Sequence, residues 1–215
     1  MLQALQNLLA GIYDVPQTHD VTEFLLTDRN RLPSTLRANG TDEQVLVAEN
    51  GDTLWISLFL EPGVLQRLAL ANPLKALNAG NLADYWTALE GVSHFVCLTW
   101  HAAHDQPVTI LELELQGEID KYVSSLRLLQ EQNPKRFPAE LHQLLFEHAR
   151  VDPVLVGDKI SLYRHANSYA ARFCRRLART LRPTEPSANI EGIAELRRFY
   201  RLSREQKFQH IKRMA

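Results

Sequence analysis

The chain has 215 residues, 45% hydrophobic and 23% charged, which is long enough to bury a full core and excludes both a disordered segment and a fibrous repeat. A formal net charge of −1 conceals a division, because residues 1–120 carry 5 Lys/Arg against 16 Asp/Glu, net −11, and residues 121–215 carry 19 against 9, net +10. Cys97 and Cys174 are the two cysteines; they form no CxxC pair and no disulfide framework, and read as buried free thiols.

Met1 to Ala10 is apolar but has no Lys or Arg before its leucines, so it does not read as a signal peptide. The stretch nearest to a membrane span, Thr87–Ala103, carries Glu90, His94 and His101 and falls short of the roughly 20 apolar residues that cross a bilayer. A cytoplasmic protein without membrane contact is expected.

In chain order, Asp20 with Glu23 has the spacing of an N-cap and N3 pair, while Glu23–Thr27 can equally supply a strand; both remain open. Gln44–Leu60 sets two β-rich runs around Asn50-Gly51, a dipeptide that accepts the positive φ of a tight hairpin. Beyond Pro62, helical spacing prevails over Val64–Ala71, Leu82–His104, Pro107–Gln130, Pro138–His148, Lys159–Leu181 and Ile190–Leu202. Asn81 stands where a cap is needed, with Asp84 three residues on; Pro107 and Pro138 suit first-turn positions, and Asn133-Pro134 and Asp152-Pro153 separate helices. Leu111, Leu113 and Leu115 alternate with Glu112, Glu114 and Gln116, which is also a strand period, yet good helix formers and the continuation Ile119, Tyr122, Val123 and Leu126 favour a helix. Ser203 with Gln206 opens a last, basic helix. The fold class is mainly α (α+β), a single-domain helical bundle with an N-terminal β-hairpin. Its organisation is residues 1–182 with the hairpin at about 44–60, followed by a basic segment, residues 189–215, docked on the same domain after the proline-containing stretch Arg182–Ala188.

Leu82–His104 is expected at the centre of the bundle, since apolar residues occur all round it. Its polar groups are not scattered. Glu90, His94, Cys97, His101 and His104 fall within an arc of roughly 80° at 3.6 residues per turn, with Trp86 on the same line. Carboxylate, imidazole and thiol are the donors that hold zinc, iron or manganese. Further ligands are available from Glu112 or His165. The same stripe also fits an edge turned to water, or a buried network in which Glu90 meets a cation. Di-iron bundles repeat Glu-x-x-His on two helices, which this chain does not do, and it has no HExxH.

Asp105, Glu112, Glu114, Glu118 and Asp120 make one segment acidic, and Arg164, Arg172, Arg175, Arg176, Arg179 and Arg182 make another basic. Within the second, His165, Tyr169, Arg172 and Arg176 form a stripe bordering the core and are candidates for a buried polar network facing Glu90 or Glu112. Arg197, Arg198, Arg201, Arg204, Lys207, Lys212 and Arg213, with Phe199, Tyr200 and Phe208 between them, form a candidate basic surface. No glycine-rich phosphate loop, GxSxG elbow, helix-turn-helix, RNP or zinc-finger pattern is present in the sequence. The sequence therefore reads first as an interaction or regulatory module, with a protein partner or a homo-oligomer, acting through opposed charged surfaces. It reads second as a metal-dependent enzyme or metal-binding protein built on the Glu/His stripe, and third as a nucleic-acid binder through the basic tail.

Overall fold

In the computed structural model, which describes residues 1–38, 40–51, 53–147, 158–181 and 186–214 and no side chains at 158–159 or 186–189, the chain opens with helix α1 (Leu2–Tyr13). This helix is absent from the elements expected above, although Leu2, Leu5, Leu9 and Ile12 recur at steps of three and four, and all four are buried. The undecided segment contains both of its alternatives. Asp20 accepts a hydrogen bond from the Thr22 amide and caps a 3₁₀ turn, Val21–Phe24, and the next two residues form strand β1 (Leu25–Leu26). A second 3₁₀ turn and the single-turn helix α2 (Ser34–Arg37) lead to the hairpin.

Strands β2 (Glu43–Asn50) and β3 (Thr53–Leu60) pair antiparallel with Asn50 opposite Thr53, and Gly51 takes φ 57. β1 adds in parallel to the other side of β3, so the sheet order is β1-β3-β2. The third strand answers the need of a two-stranded hairpin for further partners. Helix α3 (Pro62–Leu70) follows, with its proline in the first turn.

Helix α4 (Leu82–Ala102) is the central helix, in contact with α1, α3, both hairpin strands and α5 (Ile110–Gln132). Three expectations at helix starts are corrected, one of them Pro138, which precedes helix α6 (Glu140–Phe146) and its N-cap Ala139. Asn81 makes no side-chain cap; its Oδ1 accepts from the Asn78 amide at 2.9 Å and its amide donates to the Ala71 and Ala76 carbonyls at 3.0 and 2.8 Å, while Asp84 pairs with Arg67. Pro107 lies outside α5, which starts after Thr109 in a reciprocal capping box with Glu112. Thr109-x-x-Glu112 is a helix-start signature, and it overrides the strand period of residues 111–115. Burial there does not follow the alternation either, because Glu112 and Glu114 are buried while Leu111 and Leu113 are only half-buried.

Helices α6 (Glu140–Phe146), α7 (Asp158–Thr180), α8 (Pro186–Tyr200) and α9 (Arg204–Lys212) complete the chain. Ser203 and Gln206 form the expected capping box. His148, Asp152-Pro153 and residues 182–185 of the proline-containing stretch lie outside the described residues. The protein is thus mainly α with a small three-stranded sheet. Leu196, Phe199, Tyr200 and Ile211 of the C-terminal helices join the core that contains Leu5, Leu58, Phe95, Ile119 and Phe173. Tyr13 stacks on Tyr200 and Phe173 on Phe199, with ring centroids 4.3 and 4.2 Å apart. Among the described residues, no helix is long and apolar enough to cross a membrane.

Candidate metal centre

The polar stripe of α4 does not face water. His94, Cys97 and His101 are 6%, 1% and 3% exposed, Glu90 is half-buried, and only His104, at the C-terminal end, is exposed. Burial excludes the solvent-edge arrangement for the middle of the stripe. The helices around α4 divide the stripe into two separate clusters.

The first cluster forms around Glu90 and His94. β2, α4 and α5 each bring carboxylates to it, respectively Glu43, Glu90, and Glu114 with Glu118. Two glycines allow the close approach. A Cβ at Gly91 would collide with Leu58 and stand 3.1 Å from Glu43 Cγ, and one at Gly117 would stand 3.3 Å from His94 Nε2. Bare backbone on α4 and α5 thus makes room for Glu43 and for the His94 ring. One donor atom from each of Glu90, His94 and Glu114 can be chosen so that all lie within 4.8 Å of one another. Lys121 Nζ stands 2.7 Å from Glu90 Oε2 and 3.0 Å from Glu118 Oε1, and His94 Nδ1 is 3.9 Å from Glu43 Oε1. Tyr163 of α7 donates a hydrogen bond to Glu114. Among the described residues, His94 Nε2, Glu43 Oε1 and Glu118 Oε2 are buried without a hydrogen-bond partner.

The electrostatics follow from four carboxylates gathered on one ammonium. Lys121 is the cation that acts on all four. Burial would raise Glu90, but Lys121 and then His94 outweigh it and hold the group below its ordinary value, ionised. Burial and then the Glu90 charge raise Glu114 to about 8, so that it holds a proton near neutrality, and the same two causes raise Glu43 well above its ordinary value. Glu118 is raised mainly by burial, against Lys121. Burial lowers His94 despite Glu90 and leaves the ring neutral, the state that binds a metal. Burial alone would lower Lys121, yet Glu118 and Glu90 raise it, so it keeps its charge.

The second cluster contains Cys97, His101, Glu112, Tyr200 and Lys207. Lys207 Nζ is 4.0 Å from Glu112 Oε1, with both side chains 2% exposed, and the Tyr200 hydroxyl is buried without a hydrogen-bond partner among the described residues. Burial pushes the Cys97 thiol up to about 12, and burial with Lys207 pulls His101 down to about 4. Both ring nitrogens of His101 are buried without a partner among the described residues. His104 stacks on Trp100, and its Nδ1 meets the Trp100 carbonyl at 2.7 Å. Cys97, His101, His104 and Glu112 therefore do not join Glu90 and His94 as ligands of one ion. Between the clusters, buried Asp120 accepts from Tyr13, from Ser93 at 2.6 Å and from Gln116 at 2.8 Å, and burial raises it to about 6.

The cation that meets Glu90 is Lys121, not an arginine of α7. His165, Arg172 and Arg176 are exposed and Tyr169 is half-buried, so the expected buried network of those four is not formed. Their stripe lies one step away from the apolar face, toward solvent. The expected basic surface is also reduced. Lys207 is 1% exposed, and Arg197 and Arg201 donate to the carbonyls of Gly11, Ile12, Tyr13 and Asp14 at 2.8–3.2 Å. They satisfy the free carbonyls at the end of α1, where a cation also meets the negative end of the helix dipole. Arg198 pairs with Glu195, and Arg198, Arg204, Lys212 and Arg213 remain exposed.

Glu43, Glu114, Glu118, Lys121 and Tyr163 were not recognised as site residues from the sequence. Glu114, Glu118 and Lys121 do follow one another at steps of four and three on α5, a signal comparable to the stripe on α4. Comparison of the chain with protein-family models, with curated proteins and with solved structures finds no match.

Proposed function

We propose that this protein binds a divalent transition-metal ion at Glu90, His94 and Glu114. The observation that carries this reading is the convergence of their donor atoms within 4.8 Å. With bonds of about 2.1 Å, donors on one ion lie about 3–4.2 Å apart according to its geometry, so side-chain adjustments of about an ångström bring the three together. Buried His94 Nε2 supports the reading, since it has no hydrogen-bond partner among the described residues. Two carboxylates and one imidazole suit manganese, ferrous iron or zinc.

Elemental analysis of protein purified without chelator, repeated after loading with Mn²⁺, Fe²⁺ or Zn²⁺, tests the reading. About one equivalent is expected in the native chain and about a tenth or less in Glu90→Gln and His94→Ala, since each removes a ligand. A native protein that takes up none of the three ions would end the proposal.

An interaction module remains a second proposal, and the hairpin supports it. Trp55 is 65% and Val47 45% exposed on opposite faces of its outer half, and no described strand pairs with the outer edge of β2. Such an edge is a template for a further strand. Mass measurement in solution should show a partner or a second copy, lost on Trp55→Ser; a native protein that is monomeric at all concentrations and retains no partner would remove this reading.

A further inference from the structure

Lys121 lies within the same group of side chains and bears on how many ions they can hold. Its Nζ bridges Glu90 of α4 and Glu118 of α5 at 2.7 and 3.0 Å. Two carboxylates from facing helices thus share one cation. This is how a carboxylate pair holds the second ion of a two-metal site, in which the ions stand roughly 3.5–4 Å apart. Lys121 itself is 9% exposed, so little of its ammonium's solvation comes from water and most comes from the two carboxylates. A second divalent ion would have to enter beside that buried positive charge, where repulsion is weakly screened.

Resting on the metal-binding reading above, we propose that Lys121 makes the centre mononuclear. Its ammonium occupies the place between Glu90 and Glu118 that a second ion requires, so Glu90, His94 and Glu114 hold one ion, and Glu118 is the partner of Lys121. Without the lysine, Glu90 and Glu118 would face each other with no cation between them, and that position would draw another ion.

Mn²⁺ is the probe, with equilibrium dialysis for stoichiometry and electron paramagnetic resonance for the spacing of the ions. The native protein is expected to bind one equivalent with the hyperfine-split signal of an isolated ion. Lys121→Met is expected to bind two, with the broadened signal of a coupled pair. Lys121→Ala, which removes both the charge and the bridging group, carries the same test should the methionine variant fail to fold, and Lys121→Arg should stay at one. Two equivalents in the native protein, or one equivalent in a folded neutral variant, would overturn the role of Lys121 and leave the metal site standing. A native protein that binds no Mn²⁺, Fe²⁺ or Zn²⁺ would instead remove the metal site itself.

Discussion

At the scale of single residues, protonation carries the energetics. Glu114 sits at about 8 in the folded protein against an ordinary 4.5, so the fold holds this proton more tightly than the unfolded chain does. The contribution is complete below about 4.5 and is lost as pH rises toward 8. His101 acts in the opposite sense. It is lowered from 6.5 to about 4, so its contribution is present above 6.5 and is lost as pH falls through 4. Between 6.5 and 8 the carboxyl decides. Metal-free protein should lose about 2 kcal/mol of stability over that window from Glu114 alone, and Glu43 adds in the same direction. Urea unfolding in the presence of a chelator, from pH 6 to 9, measures the loss. Glu114→Gln should flatten the curve by about 1.4 kcal/mol per pH unit; equal slopes in the two proteins would exclude Glu114 as the titrating group.

At the scale of elements, the site depends on how closely α5 approaches α4. Gly117 sets that distance from the α5 side, since a Cβ there would stand 3.3 Å from His94 Nε2 and 3.8 Å from Glu90 Cγ. An alanine at this position has two separable effects. It favours the helix by about 1 kcal/mol over glycine, and it presses on the imidazole by a few tenths of an ångström. Gly117→Ala should therefore leave the melting temperature unchanged or slightly higher while Mn²⁺ affinity falls by about tenfold or more, as expected when a ligand is displaced. Undiminished affinity in a folded Gly117→Ala protein would show that this contact does not position His94. The capping box at Thr109 and Glu112 is a second element-scale device. It sets where α5 begins, and with it the phase that turns Glu114, Gly117, Glu118 and Lys121 toward α4.

At the scale of the whole molecule, the C-terminal helices complete the core. Tyr200 lies on Tyr13, Phe199 on Phe173, and Arg197 and Arg201 close the end of α1. A chain ended at residue 181 would expose those aromatic faces and lose Lys207 from the side of Glu112. It should bind a hydrophobic dye strongly and lose its near-ultraviolet circular dichroism; a truncated protein that melts at the native temperature would show instead that residues 186–214 are dispensable to the core.

The two charged halves of the chain were legible from residue counts, and so were the hairpin, the central helix and most helix spans, because turn chemistry and hydrophobic period are local properties. Two of the three proposed ligands were legible for the same reason: Glu90 and His94 stand one turn apart on a single helix. The rest of the cluster was not. Glu43 comes from a strand, Glu114 and Lys121 from a second helix and Tyr163 from a third, and no spacing within one element reports which side chains meet across elements. Nor does period separate a water-facing stripe from a buried one, and this is why Cys97 and His101 read as companions of Glu90 until the packing of α5 and α9 divided them. What the sequence by itself determined is where the hairpin and most of the later helices lie and how charge is distributed along the chain. Only the tertiary structure decided that Lys121 is the counter-ion, that Lys207 is buried and that Arg197 and Arg201 serve α1, because burial and pairing of charge depend on neighbours far away in the chain.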